Sequence, residues 1–116
     1  MFDFSSANGL LSGSKDAENA IGHYAVSTAG HDSGKIYLVI GVVTEGKNAG
    51  ELLLCDGKTK PVARPKAKKR KHVAVLRAAD EGLAALLKEG GRVDDPALIH
   101  SIREFRKRLN DQEKEA

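Results

Sequence analysis

Lysine and arginine side chains are concentrated in one segment of the sequence, where they could bind phosphate groups. Between Lys58 and Arg77 there are nine basic residues and no acidic residue, whereas the rest of the chain has ten basic and sixteen acidic residues. A positive segment in an otherwise mildly acidic protein attracts polyanions, and binding a phosphate backbone is favoured by the release of condensed counterions. The segment therefore predicts a polyanionic partner, and a solvated charged linker is the alternative.

A second candidate is the glycine-rich loop Gly30-His31-Asp32-Ser33-Gly34-Lys35. Its two glycines allow the backbone to approach a ligand closely. Main-chain N–H groups in such a loop can meet phosphate oxygens, and Lys35 can add positive charge. Asp32 and Ser33 make the loop less basic than phosphate binding favours. An ordinary polar β-turn is the alternative interpretation of this loop.

The residue types that support catalysis or metal binding are poorly arranged in this sequence. Cys55 lies in an apolar run, where a free cysteine usually acts as a small core side chain. The four histidines are scattered, with no pair at helical spacing and no Cys-x-x-Cys motif, which argues against zinc. Gly34-Lys35 is followed by Ile36, so the Gly-Lys-Ser/Thr of a phosphate-binding P-loop is absent. The sequence therefore indicates a protein that is not an enzyme and needs no metal or cofactor.

Short apolar runs separated by glycine-rich turns indicate the strands that must position these residues. Strands joined at this spacing favour a small antiparallel barrel, which removes exposed sheet edges. Asp56-Gly57 is a tight hairpin signal between two of the strands. The predicted strands are residues 23–28, 35–43, 51–56 and 58–63, with 72–76 as a further one.

Two helices are predicted after the strands, so the fold class is mainly β with C-terminal α. Asp80 caps a helix that runs through Lys88 and stops at Gly90-Gly91. Asp94 or Asp95 caps the second helix, which frays in a polar tail from Asn110. The second helix has one apolar stripe, which packs on the strands, on the first helix or on a partner; it comprises Leu98, Ile102, Phe105 and Leu109. The expected organisation is a flexible extension over residues 1–20, the β unit with the basic segment over 21–77, and a helical appendage over 78–116.

The chain resembles RNA-binding proteins of the KOW family over roughly residues 20–109. Gly22 through Gly41 reads GHYAVSTAGHDSGKIYLVIG and is similar to the KOW motif of SH3-like barrels. The Asp56-Gly57-Lys58 turn and the Pro-Lys-rich run ending at His72 resemble bacterial KOW-domain proteins, relatives of a large-subunit ribosomal protein family of the archaeal and eukaryotic type. The resemblance implies an SH3-like barrel that docks on structured RNA, commonly ribosomal RNA on the ribosome. The implied RNA contacts are Thr28, Gly30, His31, Gly34, Lys35, Lys58, Lys60, Arg64, Lys66, Lys68, Lys69, Arg70 and Lys71.

The sequence leaves two alternatives to RNA binding open, a peptide-binding module and a nuclear import signal, and it also predicts where the protein is located. SH3-like barrels also bind peptides, but their grooves are normally lined with aromatic residues, and only Tyr24 and Tyr37 are available here. The run Pro65 to Lys71 also has the composition of a nuclear import signal. A single cysteine excludes an internal disulfide, and the sequence has neither a signal-peptide pattern nor a membrane span. These features favour a cytoplasmic protein with no membrane contact.

Overall fold

The computed structural model describes residues 20–115, with side chains described as far as residue 111. The predicted N-terminal extension lies outside the described residues, except for Ala20. Five strands come first: β1 His23–Ser27, β2 Ile36–Val42, β3 Leu52–Cys55, β4 Lys66–Lys68 and β5 Val73–Ala79. A 3₁₀ turn, Arg70–His72, joins β4 to β5, and two helices follow: α1 Glu81–Lys88 and α2 Asp95–Glu115. The predicted class, mainly β with C-terminal helices, is confirmed.

The strands form one antiparallel sheet in the order β4-β3-β2-β1-β5. The pairing register shifts between His23 and Ala25 in β1 and between Val39 and Gly41 in β2, and such irregularities bend and twist a strand. Within the described part of the chain, no strand pairing joins β4 to β5, so the hydrogen-bonded sheet is not closed.

The strand predicted over residues 58–63 is wrong. That segment is a loop, in which the Asp56 carboxylate accepts hydrogen bonds from the backbone N–H groups of Lys58 and Lys60, at 2.9 and 2.8 Å. These local bonds satisfy backbone donors that a strand would need for its ladder. Pro61 has no N–H to donate. The returning strand is β4 instead, and it pairs with β3 over Lys66–Lys68.

Both faces of the sheet are buried, because side chains alternate between two apolar clusters. One cluster lies within the curved sheet and includes Tyr37, Val39, Leu54 and Val75. The other lies between the sheet and α2. There Tyr24 of β1 stacks on Phe105 with ring centroids 4.1 Å apart, and the Tyr24 hydroxyl lies 2.8 Å from Ser101 Oγ. The predicted apolar stripe of α2 is confirmed as core, with Leu98, Ile102, Phe105 and Leu109 all buried.

Aspartates begin both helices, as the sequence predicted. Asp80 Oδ1 accepts from Leu83 N at 3.0 Å, and Asp94 Oδ1 accepts from Ala97 N at 3.0 Å. Asp95 instead accepts from Val62 N at 2.8 Å, which ties α2 to the loop between β3 and β4. The helix continues to Glu115, and the last residue of the predicted polar tail, Ala116, lies outside the described residues. Neither helix in residues 20–115 combines the length and the apolar character that crossing a membrane requires.

Gly22 marks the close approach of α1 to the start of β1. Its φ is +87°, a backbone conformation that residues other than glycine rarely adopt. A Cβ at this position would lie 2.2 Å from the Cβ of Ala84 in α1. The backbone is held on both sides, because Gly22 N donates to Val39 O and Asp80 N donates to Gly22 O. Only glycine therefore fits between the sheet and α1 here.

Candidate functional site

The glycine-rich loop and part of the basic segment line one open groove of about 490 Å³, called here the loop groove. These residues are about thirty positions apart in the sequence. In the sheet order, β3 and β2 lie between β4 and β1. The sheet curves so that Lys68 of β4 nevertheless donates a hydrogen bond to Ala29 O, just after β1. The lining residues are Ala29, Gly30, His31, Asp32, Lys60, Lys66, Lys68 and His72.

Asp32 holds the base of the loop groove together. Its Oδ1 accepts hydrogen bonds from Ser27 Oγ at 2.9 Å and Lys68 Nζ at 2.7 Å, and its Oδ2 accepts from Tyr37 OH at 2.9 Å. Burial opposes ionisation, but the hydrogen bonds from Lys68, Tyr37 and Ser27 outweigh it and hold the pKa of Asp32 well below its usual range. The negative charge of the loop is therefore matched within the fold and does not simply repel an anion.

Lys68 is a structural cation, although the KOW resemblance implies it as an RNA contact. Besides Asp32, its Nζ donates to Ala29 O at 2.9 Å and to Ser27 Oγ. Its side chain is 12% exposed. An ammonium group with three fixed acceptors has no donor left for a ligand. Lys68 therefore fastens β4 to the loop that follows β1.

The backbone of the glycine-rich loop is largely satisfied by its own turns. Ser33 N donates to Gly30 O, Gly34 N donates to Ser27 O, and Lys35 N donates to Asp32 O, at 3.2, 2.7 and 2.9 Å. These three N–H groups are not available as a phosphate cradle, so the expectation of main-chain anion binding does not hold for them. The loop lines the groove through Gly30, His31 and Asp32.

Lys35 points away from the loop groove. Its Nζ lies 3.2 Å from Asp56 Oδ2 and 2.5 Å from Thr59 Oγ1, on the turn after β3. The side chain is one third exposed. Lys35 is therefore partly used to fix the turn, and it lines a different cavity from Gly30 and His31.

The remaining predicted contacts include most of the solvent-facing charge. Lys58, Arg64, Lys66, Lys69 and Lys71 are exposed, and Lys60 is half-buried. None of these six takes part in an ion pair among residues 20–111. Thr28 is exposed and its N donates to His72 O, whereas half-buried Arg70 donates to Val73 O at 3.2 Å. The lysines that can still meet a phosphate therefore lie on β4, on the turn after β3 and on the segment before β5.

Asp56 organises the turn after β3 in a similar way. Its carboxylate accepts from Lys58 N, Lys60 N and Thr59 Oγ1, and it pairs with Lys35. Burial raises its pKa, but the hydrogen bonds from Lys60, Thr59, Lys58 and Lys35 outweigh that effect and lower the pKa to about 2. Ionisation of Asp56 therefore stabilises the turn.

We expect acid to remove this stabilisation, as a comparison with Asp56→Asn would show. The folded pKa of about 2 lies below the usual value of about 3.9, so the contribution is complete above about pH 4 and is lost as pH falls towards 2. Urea unfolding is measured for both proteins from neutral pH to pH 2. Near neutrality, the free energy of unfolding should be roughly 2 kcal/mol higher for the wild type than for Asp56→Asn. That advantage should shrink below about pH 4. An advantage that does not change with pH would contradict the role of the charge.

The buried thiol of Cys55 has no accessible chemistry. It donates to Pro61 O at 3.5 Å, and burial, with smaller effects of Asp95 and Asp56, raises its pKa to about 12. The interpretation of Cys55 as a core side chain is confirmed. In residues 20–115, the structure groups no three His, Cys, Asp or Glu side chains that could hold a metal ion.

The polar residues that build the base of the loop groove are not evident from the sequence. From the sequence, Ser27 and Tyr37 are predicted only as strand residues, Asp32 as an unfavourable charge and His72 as the end of a motif. One signal was present for Asp32, because an aspartate in a glycine-rich turn commonly accepts local hydrogen bonds. Its pairing with Lys68 carries no local signal, since it depends on how the sheet curves.

The fold and the surface define a small β-rich protein with a bent antiparallel sheet, two covering helices and a basic groove. The sequence matches no model of a known protein family, and it matches no curated protein. The KOW resemblance therefore stays a prediction that rests on the short motifs from Gly22 to His72.

Proposed function

We propose that this protein is a non-catalytic RNA-binding protein that docks on structured RNA, with ribosomal RNA as the expected target. The observation that carries the proposal is the loop groove, which His31, Lys60 and Lys66 line together although His31 is far from the two lysines in the sequence. Exposed Lys69 and Lys71 follow directly after β4 and extend the positive surface. Lysines in this arrangement neutralise phosphates and position a nucleic acid.

We further propose that the bent sheet is an SH3-like barrel of the KOW type. The edge strands β4 and β5 approach each other at one end, because only Lys69 and the 3₁₀ turn Arg70–His72 connect them. Lys68 of β4 also bonds to Ser27 and Ala29 at the end of β1, and Thr28 N donates to His72 O. These contacts support barrel-like curvature, although the strand ladder itself is open.

Recognition of RNA shape is favoured over recognition of bases or peptides. All three aromatic residues between positions 20 and 111 are buried: Tyr24, Tyr37 and Phe105. Single-stranded readers and peptide-binding barrels depend on exposed aromatic surfaces. Phosphate contacts across a folded RNA need only positioned cations. The protein–protein module therefore has less support than the RNA-binding role.

The test compares two variants that each lose three positive charges. K66Q/K69Q/K71Q removes Lys66, which lines the loop groove, and the two exposed lysines that follow β4, whereas K47Q/K88Q/R92Q removes exposed cations elsewhere on the surface. Binding to a hairpin RNA of about 20 base pairs is measured over a range of salt concentrations. At about 0.1 M salt we expect the first variant to lose roughly five- to tenfold in affinity for each phosphate contact removed. Its salt slope should fall by about 0.9 per contact.

Lys68 is left unchanged in this experiment because its loss would disturb the fold. Equal losses in the two variants would show attraction by net charge alone and would contradict the proposed site. Binding of the wild-type protein that does not change with salt would contradict the proposed function. In cells, the wild-type protein should sediment with ribosomal subunits, and K66Q/K69Q/K71Q should leave that fraction.

A further inference from the structure

A second basic surface lies between α2 and the turn Asp56–Lys60. It is a cavity of about 330 Å³, called here the helix groove. Its lining contains a single carboxylate, that of Asp56, and five cationic side chains. The cations are Lys35, Lys58, Arg103, Arg106 and Lys107.

The helix groove has a surplus of positive charge even after its internal pairs are counted. Asp56 is already satisfied by Lys35 and by donors of its own turn. Lys107 lies 3.5 Å from Glu104, but both side chains are well exposed, and such a pair contributes little. Lys58, Arg103 and Arg106 are exposed, and none of them takes part in an ion pair within residues 20–111. An anion could therefore be bound without first breaking a buried ion pair.

The two walls of the helix groove are held at a fixed distance. Gly57, with φ +82°, lies so close to α2 that a Cβ would be 2.6 Å from Asp95 O and 2.9 Å from Ile99 Cγ1. The hydrogen bond from Val62 N to Asp95 fastens the same loop to the start of the helix. Because the apolar stripe of α2 is buried against the sheet, Arg103 and Arg106 project beside the turn. The cations are thus pre-positioned, which lowers the cost of binding.

The helix groove and the loop groove are neighbours. Thr59 lines the helix groove and Lys60 lines the loop groove, and these two residues are consecutive in the chain. The turn Asp56–Lys60 is therefore the ridge between two basic grooves. A ligand that fills both must be extended, and it must carry negative charge along its length.

We propose that the helix groove is a second phosphate-binding site, and that one RNA backbone crosses the turn to occupy both grooves. This inference rests on the proposed function and extends it to α2, a part of the chain outside the basic segment. Arg103 and Arg106 are three residues apart, so they are neighbours on the helix surface and can meet one phosphate or two successive ones. Guanidinium groups bind phosphate oxygens in a bidentate manner, which suits a fixed site.

The test replaces the two arginines and uses a charge-matched control. R103Q/R106Q removes two cations of the helix groove, and K88Q/R92Q removes two that line neither groove. With the hairpin RNA used above, we expect R103Q/R106Q to weaken binding at least tenfold more than K88Q/R92Q at about 0.1 M salt. The salt slope should fall by about 1 to 2. Thermal unfolding should be unchanged in both variants, because all four side chains are exposed.

A second readout identifies the contact directly. Ultraviolet crosslinking of wild-type protein to the RNA, followed by peptide mapping, should give crosslinks both in the segment around Lys66 and in the segment Arg103–Asn110. If R103Q/R106Q binds like K88Q/R92Q while K66Q/K69Q/K71Q is impaired, the helix groove is not an RNA site and the proposed function stands. If wild-type protein shows no salt-dependent RNA binding, both proposals fall.

Discussion

Replacing Gly22 with alanine should lower the free energy of unfolding by roughly 3–5 kcal/mol, the largest effect we expect from a single methyl group in this chain. Two costs combine. At φ +87° an L side chain is strained, and the added Cβ would lie 2.2 Å from Ala84 Cβ and 2.5 Å from Ala84 Cα. Because the second atom is backbone, α1 must shift away from the sheet. Urea denaturation at neutral pH measures the change.

Gly34→Ala is the matched control for this substitution. Gly34 has almost the same φ, +89°, but apart from its own atoms and those of its two chain neighbours no atom lies within 4 Å of the position its Cβ would take. The alanine at position 34 should therefore cost only the backbone strain, about 1 kcal/mol. The difference between the two variants isolates the contact with Ala84. Similar losses in both would show that packing of α1 on Gly22 contributes little.

The second large effect is expected for Asp32→Asn, at roughly 2–3 kcal/mol of unfolding free energy. The substitution leaves the Lys68 ammonium without its counter-charge in a site where that side chain is only 12% exposed. It also turns one oxygen acceptor into an amide donor, next to hydroxyl groups of Ser27 and Tyr37 that now donate to the carboxylate. Chemical denaturation, with β-sheet circular dichroism as the signal, measures the loss.

Two further variants separate this cluster from a general effect of the loop. Ser33→Ala changes an exposed neighbour in the same loop and should alter stability by less than about 0.5 kcal/mol. Lys68→Met removes the other partner of the ion pair. The double variant D32N/K68M should be less destabilised than the sum of the single variants, by at least about 1 kcal/mol. Additive losses would mean that Asp32 and Lys68 act separately.

The elements with strong local signals were predictable from the sequence. Asp80 and Asp94 precede helices whose periodicity is clear, and Leu98 through Leu109 forms a stripe that one buried face explains. β2 is rich in β-branched residues, which fit a sheet buried on both faces. In these places local preference and tertiary packing favour the same structure.

β4 was not predictable, and the reason is physical. Lys66-Ala67-Lys68 has little strand propensity, and it forms a strand because it pairs with Leu52–Leu54 of β3. The sequence predicts a strand in the upstream segment 58–63 instead. That segment forms a turn because its N–H groups donate hydrogen bonds to the Asp56 carboxylate. Local hydrogen bonds to Asp56 determine the loop over residues 58–63, and pairing with β3 determines the strand over residues 66–68. Neither structure follows from the strand propensity of the residues.

The candidate site was predictable in composition but not in role. The excess of lysine located a basic surface, yet Lys66 and Lys68 are the same residue type two positions apart and differ in what they do. Lys66 is exposed to solvent, whereas Lys68 is committed to Asp32. That difference depends on where Asp32 lies once the sheet has curved. The basic face of α2 lies outside the basic segment in the sequence, and only the fold places it beside the turn Asp56–Lys60.

The short, charged β4 also affects how copies of the protein meet one another. It ends the sheet on one side, and an unpaired strand edge is a template on which a second molecule can add a strand. Three residues offer very little length for such pairing, and the exposed ammonium of Lys66 would be brought against its own copy. Like charges facing each other across that seam oppose self-association. The positive charge at this edge therefore opposes edge-to-edge association of the protein while no anion is bound to it.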